Sequence, residues 1–273
     1  MFALTPAPPP CALTIAGSDP GGGAGIQADL KTFAALGVHG LSVIAALTAQ
    51  NTRGVSATHV PPATFLRAQI DACFADFEIG AVKIGMLGSA AAIRTVADAL
   101  VRHRPRWVVL DPVMVASSGA SLLDEDAFEV LRKRLLPLAS LLTPNLPEAE
   151  RLLGRAIAEP CASEAALVDL MALGVPAVLL KGGHQPDPER VIDRLADGGS
   201  RAVFRHPRQD EGAHGTGCTL SAAITAHLCR GATLLKACEQ ASDYVHGALR
   251  NSYHPARSNV AVLNHLWHSR SED

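Results

Sequence analysis

"CALTIAGSDPGGGAGIQADLKTFAALG" (Cys11–Gly37) is the stretch of sequence that determines the predicted fold. Its beginning, Cys11–Gly17, is a short apolar run that predicts a buried β-strand. Its end, Gly25–Gly37, has apolar residues every three or four positions and closes in glycine, which predicts an α-helix. The glycines between them predict a tight turn. A buried strand, a turn and a helix in this order are the repeating unit of a parallel α/β sheet.

The same alternation of short apolar runs and helical patterns continues along the chain. Further strands are predicted at Leu41–Leu47, Ala81–Leu87, Trp107–Met114, Ser140–Asn145 and Ala177–Gly183. Further helices are predicted at Ala63–Phe77, Ala90–Arg102, Glu125–Leu135 and Glu164–Leu173. We therefore expect an α/β protein, a three-layer αβα sandwich with a central, mostly parallel sheet. Val191–Arg205 is less regular and predicts a hairpin, and the chain after His214 is predicted to be all helical.

The composition indicates a globular domain and disfavours several classes of partner. Of the 273 residues, 48% are hydrophobic and 18% are charged, and the net charge is −2 without a long run of Lys or Arg. We therefore expect neither nucleic acid nor a membrane as a partner. No repeat or linker divides the chain, so a flexible tail (residues 1–10) and a single domain (residues 11–268) are expected.

The six cysteines form no CxxC pair, which disfavours a zinc or redox motif and suits a reducing cytosol. The first residues do not resemble a signal peptide, and no apolar stretch is long enough to span a bilayer. The expected location is therefore cytoplasmic.

Polar residues follow the predicted strands, at the edge where ligands bind in open α/β sheets. The turn Gly17–Asp29 loosely matches a dinucleotide fingerprint, but no acidic residue for a ribose occurs between Asp29 and Asp71. The turn is therefore either purely structural, or it lets a small substrate approach the backbone while Asp29 accepts hydrogen bonds. Gln50 carries a donor and an acceptor side by side, which suits the edge of a heteroaromatic ring; a structural loop amide explains it equally well.

Two carboxylates and a lysine follow later strands. Asp111 and Glu148 could hold Mg²⁺ through water, because this ion keeps much of its hydration. Glu148 could equally be a first-turn acid that the helix dipole favours. Lys181 ends the next strand, and beside a phosphate it would act as a point charge.

The stretch HGTGCTLSAA (His214–Ala223) is the strongest functional signal. Gly215 and Gly217 permit a tight turn, and the backbone N–H groups at the start of the next helix converge on an anion. His214 and Cys218 are four residues apart, but the glycine turn between them is not helical, which disfavours a metal pair. Neither GxxxxGK[ST] nor the protein-kinase signature set occurs. The turn, the carboxylates and the lysine together predict a phosphoryl-transfer site.

These motifs, taken in order, resemble those of one family. The stretches ALTIAGSDPGGGAGIQADLKTFAALG, ALTAQNTRGV, KIGMLG, VLDPVM, LLTPNLPEAE, LKGGH and HGTGCTLSAA are similar to those of the hydroxymethylpyrimidine/phosphomethylpyrimidine kinases of thiamine biosynthesis, in the ribokinase-like superfamily. The resemblance implies a ribokinase-like kinase domain, a homodimer and Mg²⁺ as cofactor. It also implies two successive ATP-dependent phosphorylations, starting from 4-amino-5-hydroxymethyl-2-methylpyrimidine.

The resemblance further implies roles for individual residues. The expected substrate-binding residues are Gly17, Asp29, Thr48, Gln50, Met86 and Val113. The expected metal ligands are Asp111 and Glu148, the ATP-binding residues are Asn145 and Lys181, and the catalytic anion hole comprises Gly215, Thr216, Gly217 and Cys218. The segment between Lys181 and His214 is shorter than the family pattern, and the acidic pair Asp210–Glu211 precedes the anion hole, so the adenine contacts are left open.

Two other functions are consistent with the same residues. A pyridoxal kinase of this architecture would also phosphorylate a hydroxymethyl group on a heteroaromatic ring, and Gln50 favours the aminopyrimidine without excluding pyridoxal. A non-catalytic metabolite sensor would keep the pocket but would not need the complete transfer apparatus of Asp111, Glu148, Lys181 and the anion hole.

Cys218 stands where many sugar kinases of the superfamily have an aspartate. The second phosphorylation would accept a substrate that already carries about −1.5 to −2 charges. A carboxylate about 5 Å away would oppose each unit of that charge by roughly 3 kcal/mol at an effective dielectric constant of about 20. A neutral thiol avoids this repulsion, and the second step needs no base because its nucleophile is an ionised oxygen. A helix start lowers the pKa of a thiol, so a Cys218 thiolate acting on the alcohol is the alternative.

We predict that Cys218→Asp retains much of the first phosphorylation and loses the second disproportionately, because only the second substrate is an anion. Separate assays of the two steps measure this difference. Equal losses in both steps would contradict the charge argument. Cys218→Ala is the control, and normal rates of both steps in this variant would show that the position requires only a small residue.

Overall fold

The computed structural model describes residues 7–114, 123–157, 160–185, 187–209 and 213–270. The strands are β1 (Cys11–Ser18), β2 (His39–Asn51), β3 (Gly54–His59), β4 (Ile79–Ile84), β5 (Val108–Leu110), β6 (Leu141–Leu142), β7 (Ala177–Leu180), β8 (Arg190–Asp197), β9 (Ser200–Pro207), β10 (Ala213–His214) and β11 (Ala261–Val262). The helices are α1 (Gly25–Ala35), α2 (Ala63–Asp76), α3 (Ala90–His103), α4 (Glu125–Val130), α5 (Leu146–Leu153), α6 (Pro160–Met171), α7 (Thr216–Cys229) and α8 (Leu234–Arg250).

The first nine strands form one sheet in the order β3-β2-β1-β4-β5-β6-β7-β8-β9. The strands β2, β1, β4, β5, β6 and β7 are parallel to one another. The strand β3 runs antiparallel to β2, β8 runs antiparallel to β7, and β9 runs antiparallel to β8. Helices pack on both faces of the sheet, where two large apolar clusters form. The predicted three-layer sandwich with a mostly parallel sheet is therefore confirmed.

The central position of β1 explains its near-continuous apolar sequence. Leu13 and Ile15 point to one face and Thr14 to the other, and all three side chains are fully buried. The strand pairs in parallel with β2 on one side and with β4 on the other. A strand that is covered on both faces must be apolar on both, so it lacks the polar alternation of a surface strand. The glycine-rich turn follows the carboxyl end of β1 and therefore lies near the middle of the sheet edge.

The segment around Gln50 differs from the sequence prediction. The second strand was expected to end at Leu47, with a loop after it, but β2 continues to Asn51 and β3 returns antiparallel beside it. Gln50 therefore lies within a hairpin and pairs with Val55. β3 is a short edge strand whose side chains are mostly exposed, so its sequence carries no apolar run by which to recognise it.

The carboxyl-terminal part also differs from the prediction. The chain after His214 is not all helical, because β10 pairs in parallel with the later strand β11. The predicted hairpin within Val191–Arg205 is confirmed, since β8 and β9 pair antiparallel over their whole length. The helix predicted at Glu125–Leu135 is α4 followed by a π-helical turn (Leu131–Leu135).

Residues 7–10 are exposed and lead directly into β1, while residues 1–6 of the predicted tail lie outside the described ranges. Within the described residues, no helix combines the length and the apolar character that crossing a membrane requires.

We predict that Leu13→Ala lowers the free energy of unfolding by about 2–5 kcal/mol, because it leaves a cavity in a fully buried strand. The matched control is Leu235→Ala on α8, where the side chain is 48% exposed, and we expect a change within about 0.5 kcal/mol. Urea unfolding of both variants measures the two changes. Similar losses in both would contradict the central burial of β1.

Candidate active site

A cleft of about 720 Å³ opens at the carboxyl ends of the parallel strands. Thirteen of the fourteen residues expected at the site line it: Gly17, Thr48, Gln50, Met86, Asp111, Val113, Asn145, Glu148, Lys181, Gly215, Thr216, Gly217 and Cys218. The sheet topology explains this convergence, because the ends of neighbouring parallel strands share one edge. Asp29 is the exception.

Asp29 lies beneath the cleft and not in its wall. Its side chain is fully buried, where its Oδ2 accepts hydrogen bonds from Thr14 Oγ1 at 2.6 Å and Lys83 Nζ at 2.9 Å. The expectation that Asp29 contacts the substrate is therefore corrected, since its oxygens are turned to the interior. Lys83 itself does reach the cleft. Burial lowers the pKa of Lys83, but the surrounding groups, with the charge of Asp29 first among them, together outweigh burial and raise it. Lys83 therefore contributes a permanent positive charge to the lining of the cleft.

The anion hole is formed by the first turn of α7. Gly215 precedes the helix with φ 85°, and the Thr216 hydroxyl donates to the carbonyl of Ala213. The backbone N–H groups of a first helical turn have no partner within the helix, so they are available to an anion. The glycine-rich turn packs against this helix start. A Cβ atom on Gly215 would lie 1.9 Å from the carbonyl oxygen of Gly23, so the two backbones are in direct contact.

Cys218 faces this anion hole with a neutral thiol. Burial raises its pKa to about 11, and the charges of Asp111 and Asp29 add to that effect. Lys83 and a hydrogen bond from the Gly25 backbone N–H oppose it without cancelling it. Because the pKa lies well above neutral pH, the thiol stays protonated. Burial thus outweighs the helix-start effect that favours a thiolate.

Lys181 lies between the two carboxylates that the sequence assigns to Mg²⁺. Its Nζ is 2.8 Å from Asp111 Oδ1 and 3.7 Å from Glu148 Oε2. Burial raises the pKa of Glu148 to about 7, with Lys181 opposing the shift. Glu148 also completes a capping box with Asn145 at the start of α5, so the structural and the functional interpretations of this acid both apply.

This donor set fits Mg²⁺. The ion typically binds one or two protein carboxylates and completes its shell with water and phosphate oxygens. In the described part of the chain, no group of three or more His, Cys, Asp or Glu side chains forms a closed metal cage. Asp111 and Glu148 therefore suit an ion that arrives with a nucleotide.

The cleft also contains a polar cluster that the sequence predicted only in part. Gln50 lies 3.0 Å from His214, and His214 lies 3.3 Å from Asp19. The sequence assigned no role to Asp19 or His214, although both lie within its glycine-rich motifs. Met86 closes one wall here, since a Cβ atom on Gly17 would lie 2.6 Å from its sulfur.

A third part of the cleft was also missed. His206 of β9 stacks on His246 of α8 with ring centroids 4.9 Å apart, and Ser242 lies beside them. These residues line the cleft together with Val245 and Leu249. No sequence motif marked them, because they come from a helical face and an edge strand. Asp210–Glu211, which raised the question of the adenine contacts, lie outside the described residues.

The fold and this site define the class of protein. An open parallel sheet with a helix-start anion hole, two carboxylates and buried lysines at its carboxyl edge characterises a small-molecule kinase of the ribokinase-like fold. A family model described as phosphomethylpyrimidine kinase matches residues 19–263. The chain belongs to this family, and it is a phosphotransferase.

Curated relatives agree with the family. The chain is 52% identical over 240 residues to the hydroxymethylpyrimidine/phosphomethylpyrimidine kinase of Rhizobium meliloti, covering 87% of this chain and 90% of that protein. It is 48% identical over 262 residues to a thiamine biosynthesis bifunctional protein of Geobacter sulfurreducens, covering 96% of this chain. It spans 53% of that longer protein.

Solved structures share the fold. The phosphomethylpyrimidine kinase of Clostridium difficile 630 has a TM-score of 0.79 at 41% identity, covering 88% of this chain and 99% of that one. The pyridoxal kinase of Bacillus subtilis, solved as an ADP complex, has a TM-score of 0.88 at 33% identity, covering 95% and 98%.

We predict that Gly215→Ala lowers kinase turnover by about 100-fold or more, because the new methyl group pushes the anion hole away from the glycine-rich turn. ADP release under saturating ATP measures this loss. The matched control is Gly231→Ala, a position with a similar φ of 90° but with no atom within 4 Å of the added Cβ. Its expected cost is about 1–2 kcal/mol of stability, with turnover retained. Equal turnover in the two variants would contradict the role of backbone contact at Gly215.

Proposed function

We propose that this chain uses ATP to phosphorylate 4-amino-5-hydroxymethyl-2-methylpyrimidine, first to the monophosphate and then to the diphosphate. The observation that carries the proposal is the continuous cleft itself. The proposed ring-binding end comprises the side-chain amide of Gln50 and the apolar side chains of Met86 and Val113, which suit a flat aminopyrimidine. The anion hole and Lys181, which also line the cleft, suit a phosphoryl group.

The first transfer forms a bond between the hydroxymethyl oxygen and the γ-phosphorus of ATP and breaks the bond from that phosphorus to the oxygen shared with the β-phosphate. ADP leaves, and the hydroxyl proton passes to water. The transition state of such a transfer is loose, so positioning and charge stabilisation matter more than a strong base. The N–H groups at Gly215 to Cys218 stabilise charge on the migrating group, and Lys181 contacts the nucleotide phosphates. Asp111 and Glu148 would hold Mg²⁺, which would neutralise further phosphate charge.

The second transfer uses the monophosphate as the acceptor. Its nucleophile is an ionised phosphate oxygen, so no proton has to be removed. The neutral thiol of Cys218 adds no negative charge next to this anion, and Lys83 supplies a positive charge from below. The same site can therefore serve a neutral and an anionic acceptor in turn.

The names of the relatives support this assignment. Curated proteins that are 42–52% identical over most of this chain carry the name hydroxymethylpyrimidine/phosphomethylpyrimidine kinase. A pyridoxal kinase is the second candidate, because the pyridoxal kinase of Bacillus subtilis superposes with the higher TM-score of 0.88. Gln50 favours the pyrimidine, whose ring nitrogen and amino group complement an amide.

Three finer features belong to the same proposal. Mg²⁺ is supported by the paired carboxylates, and a cytosolic location by the scattered free cysteines. A homodimer is supported by the exposed edge strand β3 and by two exposed apolar side chains near it in sequence, Leu47 and Phe65.

We predict that the chain converts the pyrimidine alcohol to a monophosphate and a diphosphate when ATP and Mg²⁺ are present. Mass spectrometry of the products, run in parallel with pyridoxal, tests this directly. A preference for pyridoxal would support the second candidate, and binding without turnover would favour a sensor.

A pair of lysine variants shows whether the products come from this cleft. Lys181→Met removes a charge that contacts phosphate, and we expect product formation to fall by about 100-fold or more. Lys236→Met on the surface of α8 (side chain 58% exposed) is the control, and its activity should match that of the wild type. Equal activity of the two variants would place the reaction elsewhere.

A further inference from the structure

A chain of polar groups connects the ring-binding end of the cleft to the anion hole. The amide nitrogen of Gln50 lies 3.0 Å from His214 Nε2, and the amide oxygen lies 3.3 Å from Thr48 Oγ1. Thr48 Oγ1 donates to the carbonyl of Ser18 at 2.8 Å. His214 Nε2 lies 3.3 Å from Asp19 Oδ2. All five residues line the cleft, and His214 directly precedes Gly215.

Asp19 determines where His214 carries a hydrogen. Its carboxylate accepts backbone N–H groups from Gly21, Gly23 and Ala24 at 2.8 to 3.0 Å. Burial opposes ionisation, but the hydrogen bonds from His214, Ala24 and Gly21 prevail and lower the pKa of Asp19. An ionised carboxylate can only accept hydrogen bonds. Nε2 of His214 must therefore carry a hydrogen, since a lone pair facing Asp19 would be repelled.

That hydrogen determines the orientation of the Gln50 amide. A half-turn of the terminal amide exchanges its nitrogen and oxygen without changing its shape, so the neighbouring hydrogens select between the two rotamers. With the nitrogen toward His214, two donors face each other, and the single Thr48 hydrogen has to serve two acceptors. With the oxygen toward His214, the single Nε2 hydrogen lies between two acceptors, Asp19 and Gln50, while Gln50 donates to Thr48 and Thr48 donates to Ser18. Only the second rotamer avoids placing two donors against each other.

The second rotamer also orients the acceptor ring, an argument that rests on the proposed function. Along one edge, the aminopyrimidine presents a ring nitrogen that accepts, an amino group that donates, and then the hydroxymethyl group. The Gln50 amide offers a donor on the side of Thr48 and an acceptor on the side of His214. Pairing these edges turns the hydroxymethyl group toward His214 and the adjacent anion hole. The opposite rotamer would turn it away.

We propose that His214, which Asp19 holds in place, is a positioning residue that fixes the rotamer of the Gln50 amide. This rotamer selects a 4-aminopyrimidine that is bound in the orientation that brings its hydroxymethyl group to the anion hole. His214 acts through Gln50 and not on the reacting atoms. The residue therefore determines specificity for the ring, in addition to its place beside the glycine turn.

The experiment compares two alcohols that differ at one ring position. 4-Amino-5-hydroxymethyl-2-methylpyrimidine is paired with its 4-oxo analogue, in which the ring nitrogen carries a hydrogen and the exocyclic oxygen accepts. The measured quantity is the ratio of kcat/KM for the two alcohols. In the wild type we expect the amino compound to be preferred by about 100-fold or more, because the oxo compound mismatches both hydrogen bonds.

His214→Met removes the donor, and His214→Gln keeps a donor of similar reach. We expect the Met variant to lower the ratio by about 10-fold or more, and the Gln variant to retain most of it. In a Gln50→Ala background, His214→Met should leave the ratio unchanged, because the amide through which it acts is gone. Thr48→Val removes the partner at the other end of the amide, and we expect it to lower the ratio as well. If His214→Met does not fold, the ratio measured in Thr48→Val tests the inference.

An unchanged ratio in His214→Met would overturn the inference, whether activity is kept or is lost equally on both alcohols, because a residue that only shaped the anion hole would act on both substrates alike. If His214→Met does not fold, an unchanged ratio in Thr48→Val would overturn it. Either result leaves the proposed function intact. A wild-type chain that phosphorylates neither alcohol would instead overturn the proposed function, and the inference with it.

Discussion

The contact between the glycine-rich turn after β1 and the first turn of α7 is the constraint on which the rest of the structure depends. The carbonyl of Gly23 occupies the space where any side chain at position 215 would begin. This contact joins the loop of the first predicted strand to a helix almost two hundred residues later. It places the thiol of Cys218 above the buried pair of Asp29 and Lys83. Without it, the ring-binding end and the anion hole would not share one cleft.

The electrostatics of the site follow from that arrangement. Lys83 is buried and Lys181 is largely covered, and both lie next to carboxylates. In each case burial lowers the pKa, but the neighbouring charges and hydrogen bonds together outweigh burial and raise it. The lysines therefore remain cationic in surroundings that would otherwise favour a neutral amine. The Cys218 thiol is neutral for the complementary reason, since it has no partner strong enough to offset its burial. A phosphate bound here would therefore meet fixed positive charge and no opposing charge from the thiol.

Similarity of fold does not decide the acceptor. The structure superposes more closely on a pyridoxal kinase than on a phosphomethylpyrimidine kinase, although its sequence identity is higher to the latter. The sheet and the anion hole serve any hydroxymethyl acceptor, so discrimination falls to the few side chains that contact the ring. The cluster of Gln50, His214 and Asp19 is the part of the cleft where hydrogen-bond direction can distinguish one ring from another.

The sequence by itself determined the alternation of strands and helices, the mostly parallel sheet and thirteen of the residues that line the cleft. These are local properties, since periodicity, glycine turns and strand-end positions act over a few residues. Tertiary structure alone decided that Asp29 turns inward to Lys83 and that His206 and His246 meet at the cleft. It also decided that Gln50 lies in a hairpin and contacts His214. Such pairs are far apart in the chain, and only the order and packing of the whole sheet bring them within hydrogen-bonding distance.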